Sequence, residues 1–83
     1  MNKILIEVYV PTIEKKYDIL LPINKKIKSV IILLSKAVKE LNDGAYIIKT
    51  NSLLCDKAKG MIYNPEAIVK ESGLKNGSEV LLI

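Results

Sequence analysis

Residues 2–10 alternate, with Ile4, Ile6, Val8 and Val10 on one side and Lys3, Leu5, Glu7 and Tyr9 on the other. A period of two predicts a half-buried strand. Pro11 to Lys15 breaks the alternation. Tyr17, Ile19 and Leu21 then alternate with Asp18 and Leu20 as far as Pro22, so the chain opens with a β-hairpin. From about Lys25 the period changes to 3.6: Ile27, Val30, Ile31, Leu34, Val38 and Leu41 form one stripe, with Lys28, Ser35, Lys36, Lys39 and Glu40 on the flanks and far side. This predicts a helix over Lys25–Leu41, ended by Asn42-Asp43-Gly44, where glycine suits a left-handed terminal position. Ile32 falls opposite the stripe and has no place in that packing.

Ala45 to Asn51 reads equally as a short strand or as a loop pinned by Tyr46, Ile47 and Ile48. Ser52-Leu53-Leu54-Cys55 predicts a third strand, Asp56 to Gly60 a turn, and Met61-Ile62-Tyr63 its hairpin partner. After Asn64-Pro65, Glu66 to Glu71 has room for one helical turn. In the last twelve residues Leu74 is an apolar plug, Asn76-Gly77 a turn that tolerates positive φ, and Ser78 to Ile83 a final strand. The order is strand, strand, helix, strand, short strand, strand, which predicts an α+β fold. No repeat, linker or low-complexity segment interrupts it, and 83 residues make a single domain, 1–83.

Composition narrows the chemistry. An apolar fraction of 49% excludes a disordered chain. The longest uninterrupted apolar run, Val30 to Leu34, falls far short of the roughly 20 residues that span a bilayer, so no membrane insertion is expected. The chain has no His and a single cysteine, Cys55, which leaves no internal disulfide, no metal cluster and no nucleophile–base pair. Cys55 reads as a small buried hydrophobe. No cofactor site and no enzyme activity are expected. The net charge of +4 comes from lysine alone, with no arginine and only four scattered tyrosines. A nucleic-acid reader normally leans on Arg and stacked aromatics, so no nucleic acid is expected as partner. Lys15, Lys16, Lys25, Lys26 and Lys28 cluster at one end and read first as a solvated rim.

One long helix after an N-terminal hairpin resembles the ubiquitin-like β-grasp fold along nearly the whole chain. Leu53-Leu54-Cys55 through Gly60, then Met61-Ile62-Tyr63, looks like that fold's third and fourth strands. Ser72-Gly73-Leu74-Lys75-Asn76-Gly77-Ser78-Glu79-Val80 is similar to its loop into the last strand. The length, early hairpin, Pro22 after strand two and Ile/Val-rich helix resemble the small YukD-type (EsaB-type) bacterial proteins. The resemblance implies a mixed five-stranded sheet, order 2-1-5-3-4, with the helix on one face. It also implies a cytoplasmic accessory or regulatory component of a type VII (ESX-like) secretion system in Gram-positive bacteria. The alternative is a ubiquitin-like sulfur carrier or conjugated modifier. That chemistry needs a flexible Gly-Gly end, whereas Val80-Leu81-Leu82-Ile83 is bulky and expected to lie in the sheet.

Strand parity predicts a shared core of Ile4, Ile6, Val8, Ile19, Leu21, Ile27, Val30, Ile31, Leu34, Val38, Leu41, Leu53, Leu74, Val80 and Leu82. The opposite parity places Leu5, Leu20, Leu54, Leu81 and Ile83 on the outer sheet face as one apolar strip. Exposed apolar area of that kind marks a partner site, and in ubiquitin-like domains the surface of strands three and five is the common recognition patch. The expected occupant is a protein, a second copy of this chain included. The competing reading has residues 45–51 folding back over the strip.

Overall fold

The computed structural model describes residues 2–83. Strands β1 (Lys3–Val10) and β2 (Lys15–Pro22) pair antiparallel along their full length, Lys3 opposite Pro22 and Val10 opposite Lys15. Helix α1 spans Ile27–Leu41, β3 Leu54–Asp56 and β4 Glu79–Leu82, with a short 3-10 turn at Val69–Glu71. The sheet order is β2-β1-β4-β3, and the terminal strand lies centrally, parallel to β1 and antiparallel to β3. The hairpin and the central terminal strand follow the sequence expectation. The strand count does not: the sheet has four strands, not five. The expected fourth strand shrinks to one bridge, Cys55 to Ile62, because Asn64-Pro65 follows at once and proline has no N–H to extend a ladder.

The even-numbered residues of β1 point inward with Leu21, Leu54, Val80 and Leu82, and α1 packs Ile27, Val30, Ile31, Leu34 and Val38 onto them. Three expected core positions depart from this. Leu41, in the last helical turn, is 59% exposed, and the core contains Tyr46 instead. Ile19 sits only half-buried, on the edge strand. Leu53 is half-buried and pairs by both backbone groups with Ile83, N to O at 2.8 and 3.0 Å, so it shares the outer face. Ser35, expected on a flank, is buried and satisfied by donating to the Ile31 carbonyl at 2.8 Å.

α1 begins two residues later than its periodicity suggests. Lys26 offers no side-chain cap, and the first N–H groups are taken from outside the helix: Ile27 donates to Ala67 O at 2.8 Å and Lys28 to Pro65 O at 2.9 Å. At the other end Gly44, with φ +77°, turns its N–H back onto Lys39 O at 2.7 Å. The loop into β4 uses its two signal residues differently. Gly77 takes the positive φ of 89°, while the Asn76 Oδ1 accepts the Leu5 N–H at 2.7 Å and ties the loop to β1. Leu74 is buried beneath that loop.

Candidate interaction surface

The pairing register arranges the outer face in rows running across the strands. Leu20 and Leu5 form the first. Asp18, Glu7 and Glu79 form the second, continued by Lys57, whose ammonium lies 3.6 Å from the Glu79 carboxylate. Lys16, Tyr9, Leu81, Cys55 and Ile62 form the third, linked in turn by strand pairing and the terminal bridge. Ile83 and Leu53 lie beyond it.

This geometry divides the strip expected from sequence. Leu5 and Leu20 are exposed, but two strand steps of about 6.6 Å each separate Leu5 from Tyr9, and the charged row lies between them. Leu81 is half-buried and Ile83 exposed, together on the far side of that row. Leu54 belongs to neither patch: it is fully buried opposite Leu82. The parity was off by one residue, which inverts both faces of a strand. Leu53, Leu54 and Cys55 are all apolar, so nothing in their alternation fixes which one points inward. The hydrogen bond from Tyr63 N to Leu54 O, 2.9 Å, helps set the register.

Cys55 is buried, as expected for a small hydrophobe, but it lies on the outer-face row under Leu81 and Ile62 rather than in the main core. Ile62, assigned from sequence only to a hairpin, completes the apolar patch at 54% exposed, while exposed Met61 alternates away from it. The signal was present as an unbroken apolar pair beside a turn. The Lys57 ammonium stands 6.0 Å from the centre of the Tyr9 ring and rims the patch with a cation.

The patch edge is held by Asp56. Its Oδ1 accepts the N–H groups of Ala58 and Lys59, both at 2.9 Å, and its Oδ2 the Tyr63 hydroxyl at 3.2 Å. The Lys59 N–H, with the Tyr63 and Ala58 donors, holds the Asp56 carboxyl below its ordinary value. Burial, with the Asp56 charge beside it, pushes the Tyr63 phenol up to about 12. The carboxylate is thereby committed to shaping the turn.

The segment 45–51 does not cover this face. Tyr46 is in the core, and Ile48 to Thr50 run alongside α1, on the opposite side of the sheet. In the lysine cluster, Lys26 and Lys28 both reach Glu66 at 3.2 Å, which draws the Glu66 carboxyl below its ordinary value. Lys15 and Lys16 extend from the edge strand β2. Among the described residues no group of three His, Cys, Asp or Glu side chains is placed to hold a metal ion. No helix there is long and apolar enough to cross a membrane.

No family model matches the chain, and no curated protein does. Solved structures do. The EccD5 ubiquitin-like domain from Mycobacterium xenopi superposes with a TM-score of 0.80 at 16% identity, over 100% of this chain and 94% of that one. The ubiquitin-like domain of the Mycobacterium tuberculosis type VII secretion system protein ECCD1 gives 0.78 at 12% identity, covering 100% and 99%. A chain of the MycP5-free ESX-5 inner membrane complex gives 0.73 at 14% identity, over 100% of this chain and 21% of that one. Superposition over the whole chain at such low identity is a statement about architecture, and it establishes that this chain has a ubiquitin-like α+β fold.

Proposed function

We propose that the chain is a non-catalytic protein-interaction module that docks a protein partner through Tyr9, Leu81, Ile83 and Ile62. The observation carrying this is an apolar patch, exposed on the outer face of an antiparallel sheet edge, that no segment among the described residues covers. A two-layer domain has no packing use for apolar residues there, and their exposure is the ordinary mark of a docking site. The Lys57 and Glu79 rim fits a partner with a polar margin around an apolar centre. Leu5 and Leu20, cut off by the acidic row, serve as a separate secondary contact.

The context we propose is a type VII-like secretion apparatus, with the chain acting in the cytoplasm as a YukD-like accessory of a Gram-positive bacterium. Support comes from the ubiquitin-like domains of type VII secretion proteins among the similar structures and from the sequence resemblance. A fold alone does not fix a function, so the surface must be tested directly. Purified chain is mixed with the purified cytoplasmic portions of the type VII membrane proteins of the same organism, and association is read by analytical ultracentrifugation. Wild-type chain should bind, and Ile62→Glu should abolish binding with its thermal transition nearly unchanged. Binding that survives Ile62→Glu and Ile83→Glu together would move the site elsewhere. Self-association lost on Ile62→Glu would identify a second copy as occupant.

A further inference from the structure

On the opposite side of the domain, α1 and the following loop enclose a groove of about 300 Å³. One wall is the outward ridge of α1 from Lys28 through Ile32 to Lys36, and the other is Ile48 to Thr50 with Ser52 and Pro65. Ile32 and Ile48, both exposed, face it across the rim. This gives Ile32 a role that helix packing does not. The groove is charged in one sense only: Lys28, Lys36 and Lys49 line it, and none of its lining residues is acidic. Lys28 shares Glu66 with Lys26, whereas among the described residues no carboxylate lies within 4.0 Å of Lys36 or Lys49. Ser52 lines the same groove, and its Oγ is buried without a hydrogen-bond partner.

We propose that this groove docks a short extended peptide segment of a partner protein, one or two aliphatic side chains flanked by Asp or Glu. Length limits the occupant. Lys28 to Lys36 spans eight helical steps, about 12 Å, which matches three or four residues of extended chain at about 3.3 Å each. The apolar rim receives the aliphatic side chain, and the lysines at both ends and on the facing wall select carboxylates on either side of it. A backbone carbonyl of the segment is the acceptor that the Ser52 hydroxyl lacks within the chain. An apolar rim and lysines without arginine favour such a peptide over a nucleic acid. Because groove and sheet patch lie on opposite sides, one copy of the chain can hold two partners at once.

The test is a titration of ¹⁵N-labelled chain with an acetylated, amidated hexapeptide of two isoleucines flanked on each side by two glutamates. Saturable shifts confined to residues 28–36 and 48–52 are expected, weakening as salt is raised. The exposed double variant Lys36→Glu/Lys49→Glu should keep its dispersed spectrum and lose affinity at least ten-fold. A lysine-flanked counterpart of the peptide should give no saturable shift. No saturation at millimolar peptide, shifts centred on Tyr9 and Leu81, or unchanged affinity in the double variant would each overturn the proposal. So would a thymidine oligonucleotide that shifts the groove at lower concentration than the peptide.

Discussion

Residues 3–41 and residues 42–63 are built on different principles. The first region is periodic: β1 and β2 alternate over eight paired positions and α1 carries its stripe for four turns, so many weak signals agree. The second has one strand of three residues, and its path rests on single groups. Tyr46 is the one residue of 45–51 that enters the core, Asp56 organises the turn at 57–60, and Tyr63 returns the chain to Leu54. Both exposed apolar surfaces of interest draw on this second region, through Ile62 for the sheet patch and Ile48 to Ser52 for the groove. The periodic region exposes apolar side chains too, Leu20 and Ile32 among them, but each surface is completed only by residues of the second.

The sharpest way to break the comparison is to exchange the two neighbouring leucines of the second region. Leu54→Glu places a carboxylate at a fully buried site within the apolar core. Deleting a buried leucine alone costs about 2–5 kcal/mol, and an unpaired buried charge adds to that. A domain of this size is stable by only about 5–15 kcal/mol, so Leu54→Glu should be largely unfolded at 25 °C by circular dichroism. Leu53→Glu, one residue away on the outer face, should lose less than about 2 kcal/mol in urea denaturation, closer to a surface substitution than to a core one. Equal losses would mean that the register between β3 and β4 is not the one described.

That pair also marks how far the sequence was legible. β1, β2, α1, the Leu74 plug and the central final strand were readable because each rests on a repeated period or a turn residue of restricted φ. The faces of 53–55 were not, since three successive apolar residues carry no parity and only cross-strand hydrogen bonds choose among them. The reduction of the expected fourth strand to one bridge was not legible for a related reason: Asn64-Pro65 reads as a loop rather than as the limit on its ladder. Ile32 was visible as an anomaly, but its counterpart Ile48 lies in a segment without period, so the groove between them emerged only in three dimensions.

A smaller effect probes the single-group contacts of 56–63. The folded state holds Tyr63 neutral up to about pH 12, whereas the unfolded chain ionises it near pH 10. The folded chain therefore keeps more protons in that interval, and stability falls as pH rises from about 10 toward 12, being fully present below 10. Asp56 works at the other end: its lowered pKa contributes above the ordinary 3.8 and is lost as pH falls below it. The Tyr63 ring resonances should show the phenol still mostly un-ionised at about pH 11. Tyr63→Phe should flatten the alkaline limb and cost about 0.5–1.5 kcal/mol for the lost hydrogen bond. Early ionisation would show the Tyr63–Asp56 contact absent in solution, and β3 would then need another anchor.

The smallest effect should have the opposite sign. Ser52 precedes β3 in the second region, and its Oγ is buried with nothing to bond. A buried hydroxyl without a partner gives up its hydration and gets no hydrogen bond in return, a cost of about 1–3 kcal/mol. Ser52→Ala removes that cost and leaves the Cβ in place, so the variant should match or exceed the wild type by up to about 1 kcal/mol, a rise of several degrees in Tm for a domain this small. The buried serine of the first region supplies the contrast. Ser35 donates to the Ile31 carbonyl at 2.8 Å, and Ser35→Ala forfeits a bond that is made. Ser52→Ala above wild type with Ser35→Ala at or below it would show a periodic region already satisfied and a second region carrying an unmet donor toward its groove. A loss at Ser52 comparable to a broken hydrogen bond would mean that its hydroxyl has a partner in solution, and the groove would then have one fewer group to offer a ligand.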